Sequence, residues 1–354
     1  MGLLMKSKKL FLYLGLFILF LSTQADASSI FSDEYIPIES HELGHLNIHL
    51  LKASGKNEQG KIILFLHGFA HNANIFQPLI EMLLKEDSFA QTVSTLYAID
   101  LPAHGKSNLS TKKKLGSIQL VDYEEVLEHV LRKLKKVDVI VAHSMGTLLV
   151  NMLQNHLFQS DMNLFKEFGT EHVVFFAPVI FRPLDWELAD HELALTLKLA
   201  PLVALDISNG LYGVLSINFS AEKFYKYFFI AHEKLVQGAP SKEIVESSLK
   251  DPDSYFASAE MAGMNIFSSS NDRKILKRPL IYKKIFNPSS GSLLSVVAFE
   301  QDSLMTPDEI KKLYEYLSED ESNKRFYFLK GDEAVHDAFY SDPSNKIFLK
   351  VFAN

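Results

Sequence analysis

The sequence contains no cysteine. That excludes thiolate metal sites, a cysteine nucleophile and structural disulfides, and says little about the redox compartment. It also lacks a surplus of positive charge. The 36 Lys and Arg face 43 Asp and Glu, for a net charge of −7, and no long basic stripe runs along the chain. A nucleic-acid partner is therefore not expected. Internal repeats are lacking, as are low-complexity tracts beyond the N-terminal segment. The apolar run Leu10 to Leu21 is short beside the roughly 20 residues of a membrane span. What remains is ordinary for a globular chain: 354 residues, 47% hydrophobic and 22% charged. This suffices for one large α/β domain with an insertion, or for two domains.

The N-terminus has a recognisable layout. Lys6, Lys8 and Lys9 precede the apolar run, and small and polar residues lead to Ala25-Asp26-Ala27. A basic region, a short apolar region and an A-x-A site describe a secretory signal peptide over residues 1–27. Secretion or a periplasmic location is the expectation. The alternative is an uncleaved segment that anchors the chain to a membrane.

Beyond it, apolar runs of strand length recur at His45–Lys52, Lys61–Leu66, Thr92–Ile99, Val137–Ala142, His172–Ala177, Leu293–Phe299 and Arg325–Leu329. Most are uninterrupted, which suits a parallel sheet covered on both faces. Between them Ile75–Leu84, Ser117–Lys136 and Thr147–Phe158 carry helical periodicity. The alternation predicts an α/β fold with a mostly parallel, doubly wound sheet. The strand rhythm stops after Pro178 and resumes at Leu293. The stretch 181–284 reads as a helical insertion into one domain formed by 28–180 and 285–354.

Three strand ends carry residues fit for nucleophilic chemistry. "VDVIVAHSMGTLLV" places Ser144 between an apolar strand and an apolar-periodic helix. A serine on such a turn needs small residues two before and two after it, because strand and helix approach closely. Gly146 satisfies this, and Ala142 nearly does. The competing reading is a helix-capping serine. After the strand "KIILFL", His67-Gly68-Phe69 forms a turn that can aim the Phe69 N–H at a developing oxyanion beside the Met145 N–H. Asp302 follows the strand "LLSVVAF", with Glu300 as its competitor. His336, the only histidine after His232, follows "RFYFL". The order Ser144, acid, His336 is that of a nucleophile–acid–base triad built on strand ends. Asp100 and His104, in the loop "DLPAHGKS", are expected to hold that loop together by hydrogen bonds.

With the HGF, DLPAHGKS, AHSMG, FEQD and VHDAF segments, the chain resembles the α/β-hydrolase fold family over roughly residues 40–354, in a serine esterase or lipase-like form. The resemblance implies Ser144 as nucleophile, His336 as general base, Asp302 as orienting acid and Phe69 and Met145 as oxyanion donors. It implies that 181–284 is a lid inserted after the sixth strand. Alanine at 142, in place of the first elbow glycine, is the departure. Dehalogenases and epoxide hydrolases of this fold carry an aspartate at the elbow, and Ser144 argues against both. His67, His143, Phe228 and Met264 are candidate substrate contacts, and the aromatic-rich insertion suits an apolar ester. No cofactor or metal is expected. Hydrolysis of a carboxylic ester is the first reading. The same triad serves an aminopeptidase, a carbon–carbon bond hydrolase or an acyltransferase, and the fold serves some non-catalytic binding proteins.

Overall fold

A computed structural model describes residues 30–68, 71–107, 120–178, 292–302, 306–317 and 321–352. The expected signal peptide at 1–27, the insertion at 181–284 with Phe228 and Met264, and Phe69 lie outside the described residues.

The strands are β1 (Phe31–Ser40), β2 (Gly44–Ser54), β3 (Lys61–Leu66), β4 (Val93–Ile99), β5 (Val139–His143), β6 (His172–Phe176), β7 (Leu293–Phe299) and β8 (Lys324–Leu329). They form one eight-stranded sheet in the order β1-β2-β4-β3-β5-β6-β7-β8. β2 runs antiparallel to β1 and to β4, and every pairing from β4 through β8 is parallel. The helices used below are α1 (Gln77–Lys85), α2 (Leu120–Leu134), α3 (Met145–Gln159), α4 (Leu164–Phe168), α5 (Pro307–Leu317), α6 (Ala338–Ser341) and α7 (Lys346–Phe352).

The continuous apolar strands serve two cores at once, because successive side chains point to opposite faces. On one face Leu64, Leu66, Ile140, Ala142, Val173, Phe175, Val296 and Ala298 pack with apolar residues of α2 and α3. On the other, Ile63, Phe65, Val139, Val141, Val174, Phe176, Val297 and Phe299 pack with those of α1, α6 and α7. Helices on both faces are what a parallel sheet requires. The strand β1 was not expected from the sequence. It is an edge strand whose outer half is charged, whose inward residues are only Ile36, Ile38 and Ser40, and which carries Pro37. Proline is tolerated at such an edge because one row of N–H groups has no partner strand.

Candidate active site

Ser144 stands between β5 and α3 with φ 50° and ψ −122°. A side chain in this region is strained, by about 1–3 kcal/mol, and persists only where the surroundings impose it. The Ser144 N–H donates to the Phe176 carbonyl at the end of β6 (3.0 Å). The Ser144 carbonyl accepts from the Thr147 N–H (2.9 Å) and the Thr147 hydroxyl (2.6 Å). The Ser144 side chain makes no capping hydrogen bond to the helix. Ser144 thus stands at the N-cap position of α3 in a strained elbow, without the side-chain hydrogen bond that a capping serine makes. A Cβ on Gly146 would lie 2.7 Å from the Leu66 carbonyl oxygen and 2.8 Å from that of His67, so only glycine fits there. Ala142 is wholly buried, and its methyl is absorbed into the core facing α2 and α3.

The end of β3 closes on the elbow from the other side. A Cβ on Gly68 would lie 2.7 Å from the Ser144 Cβ. The chain continues from Gly68 directly into Phe69. Met145 opens α3, where the first N–H groups have no intrahelical partner and the positive end of the helix dipole favours a nearby anion.

His336 donates from Nδ1 to Asp302 Oδ2 at 2.9 Å, and both side chains are almost completely buried. Of the two acids after β7, the structure brings Asp302 to the histidine. Glu300 turns away and accepts from the Gly331 N–H at 2.8 Å. Burial pulls the His336 pKa down. The charge and hydrogen bond of Asp302, helped by the charge of Asp337, outweigh this and leave it raised above 6.5. The pair reaches the elbow through His143, whose Nε2 donates to the His336 carbonyl at 3.0 Å and whose ring centroid is 4.8 Å from that of His336.

His67 and His143, candidate substrate contacts in the sequence, are both fully buried. His67 donates from Nδ1 to the Gly68 carbonyl (2.8 Å), and its Nε2 accepts from the Leu101 N–H (3.2 Å). Burial lowers its pKa, which keeps the neutral ring this pairing needs. His67 therefore braces the turn before Phe69. His143 faces inward for a reason visible in the strand: Val139 and Val141 point into the core that holds Phe339, and residue 143 follows their alternation. Nothing in the local sequence pattern shows that its partner is the His336 backbone.

The loop after β4 is organised as expected, by Asp100 and His104. Asp100 accepts from the Ala73 N–H (2.6 Å), the Lys106 N–H (2.8 Å) and His49 Nδ1 (2.7 Å). His104 donates from Nδ1 to the Pro102 carbonyl (3.0 Å). His49, which sequence reasoning did not single out, also pairs through Nε2 with Asp33 (2.9 Å). Among the described residues, Glu124, Glu128 and His156 lie close enough together to hold a metal ion. They are already paired: Glu128 with Arg132 and Glu124 with His156. His156 lies twelve residues beyond Ser144, about 18 Å along the helix axis.

The sequence profile of the alpha/beta hydrolase family matches residues 63–262. No curated protein sequence matches the chain. Many solved structures share its fold. An esterase from Exiguobacterium antarcticum is 12% identical, with a TM-score of 0.58 over 90% of this chain and 98% of that one. A bromoperoxidase from Bacillus anthracis is 15% identical, with a TM-score of 0.58 over 91% and 100%. An epoxide hydrolase from Aspergillus niger is 14% identical, with a TM-score of 0.54 over 90% and 78%. At such identities the likeness speaks for the fold alone, and three chemistries on one fold leave the reaction to the site.

Proposed function

This chain belongs to the alpha/beta hydrolase family, and on that premise we propose that it is a serine hydrolase that cleaves carboxylic esters. The observation that carries the reading is the pairing of a strained, uncapped Ser144 with a buried His336–Asp302 couple bound to the adjacent residue. Ser144 Oγ attacks the ester carbonyl while its proton passes to His336 Nε2. Asp302, on the opposite ring nitrogen, holds the tautomer and stabilises the imidazolium. The oxyanion is received by the N–H groups of Met145 and Phe69. The imidazolium returns the proton to the departing alcohol, leaving an acyl group on Ser144. Water, deprotonated by the same histidine, then releases the acid.

A serine at 144 disfavours epoxide or haloalkane opening, where family members use an aspartate. The aromatic and other apolar residues of 181–284, Phe228 and Met264 among them, support an apolar acyl or alcohol part. Export belongs to the proposal and rests on the N-terminal layout; the exported protein is expected to begin after Ala27.

The test is a panel of p-nitrophenyl esters of rising chain length set against aminoacyl anilides. Turnover of esters, with a preference for apolar chains, is expected. Clear anilide cleavage without any ester turnover would replace the ester reading with a peptidase.

A further inference from the structure

We infer that His143 is a positioning residue for His336: by donating Nε2–H to the His336 carbonyl, it sets the distance between nucleophile and base. The inference rests on the serine-hydrolase reading and extends it.

The bond joins residues 193 positions apart. One end is the residue directly before Ser144, on the last position of β5. The other is the backbone of the residue that takes the Ser144 proton. Any movement of the loop after β8 away from the elbow must first break it. His336 is held at two separate atoms: His143 holds the carbonyl, and Asp302 holds Nδ1. A base fixed at both points keeps one orientation.

The surroundings of His143 fit this role. The ring is fully buried. It lies 4.8 Å from the His336 ring, 4.8 Å edge-on from Phe339 and 5.7 Å edge-on from His71. Its Nδ1 has no hydrogen-bond partner among the described residues, and a Cβ on Gly68 would sit 3.1 Å from it. The groups around it that can carry charge are His336 with Asp302 and Asp337, His71, and His67 beyond Gly68. Burial, with His336 and His71 next, holds His143 neutral far below its ordinary range. A neutral ring gives one N–H for the His336 carbonyl. It sets no second positive charge beside the imidazolium formed during the reaction.

The test uses the whole chain and a fluorophosphonate that reacts with Ser144, so no substrate need be known. His143→Leu removes the donor and keeps the apolar contacts. His143→Gln restores a donor of similar reach. The Leu variant is expected to react about 10- to 100-fold more slowly, the range a misplaced catalytic group costs. The loss should fall on the bonding step and not on reagent binding. The acid limb of its pH profile should move to lower pH, because a loosened His336 gains less from Asp302. The Gln variant should recover most of the rate. If the Leu variant does not fold, His143→Asn, too short to reach the carbonyl, takes its place against Gln. A Leu or Asn variant reacting at the wild-type rate with an unmoved acid limb overturns the inference, as does a folded Gln variant no faster than Leu. Failure of the wild type to react at all overturns the hydrolase reading instead.

Discussion

Ser144 holds a conformation that costs about 1–3 kcal/mol, and its neighbours leave no room to relax: Gly68 on one side, Gly146 against the β3 carbonyls on the other. The same economy governs the proposed base. His336 is buried yet its pKa is raised, because the Asp302 charge and hydrogen bond overcome desolvation. The proposed reaction needs the neutral ring, so kcat/KM should fall on acidification through a pKa above 6.5. Asp302→Asn should lower kcat by as much as about 10⁴-fold, the loss seen when such an acid becomes an amide, and shift the limb to lower pH. Glu300→Gln should leave both near wild type, since the Glu300 carboxylate accepts from the Gly331 N–H and not from His336. A dead Glu300→Gln enzyme beside an active Asp302→Asn enzyme would exchange the two acids.

At the scale of elements, the site is held by a stack of rings between the sheet and its helices. Phe339 of α6 stacks on Phe76 (5.2 Å, 16°) and on Phe176 of β6 (5.3 Å, 23°), and carries the edge of His143. Phe339→Ala should cost about 3–5 kcal/mol of stability and slow the reaction of Ser144, because the helix after His336 loses its seat. Denaturant unfolding and labelling rates check the two parts. Unchanged stability would mean that the stack does not hold α6. Much of this framework was legible in the sequence. The run "KIILFL" gave β3 with both ends correct, and the elbow, the acid loop and the histidine each followed a recognisable strand. β1 was hidden because its alternation is too short to read: only Ile36 and Ile38 are inward and apolar, and Pro37 lies between them. The inward turn of His67 and His143 was hidden for another reason. Their partners, the Leu101 N–H and the His336 carbonyl, are 34 and 193 residues away, and local patterns carry no such information. The choice between Asp302 and Glu300, two residues apart, likewise needed the direction of each side chain.

At the scale of the whole molecule, the described histidines with shifted pKa values fall into two classes with opposite pH behaviour. His67, His104, His143 and His172 are buried, and burial lowers the pKa of each, to about 3 for His104 and His172. Each contributes stability that is complete above 6.5 and lost as pH falls toward the folded value. His49 is raised, since Asp100 and Asp33 together outweigh its burial, and His336 is raised by Asp302. The contribution of each is complete below 6.5 and lost as pH rises through its folded value. The first class is the larger, so stability should fall on acidification from pH 6.5 toward 3, and His104→Gln should make the fall less steep. Urea unfolding at a series of pH values measures this; a flat profile between those limits would contradict it. The proposed chemistry turns on the hydroxyl of Ser144 as a nucleophile activated by His336. The most direct measurement is intact mass and peptide mapping after exposure to a fluorophosphonate. The expected result is a single adduct on Ser144, absent from Ser144→Ala and strongly slowed in His336→Ala. An equal adduct on the Ser144→Ala variant, or none on the wild type, would contradict it.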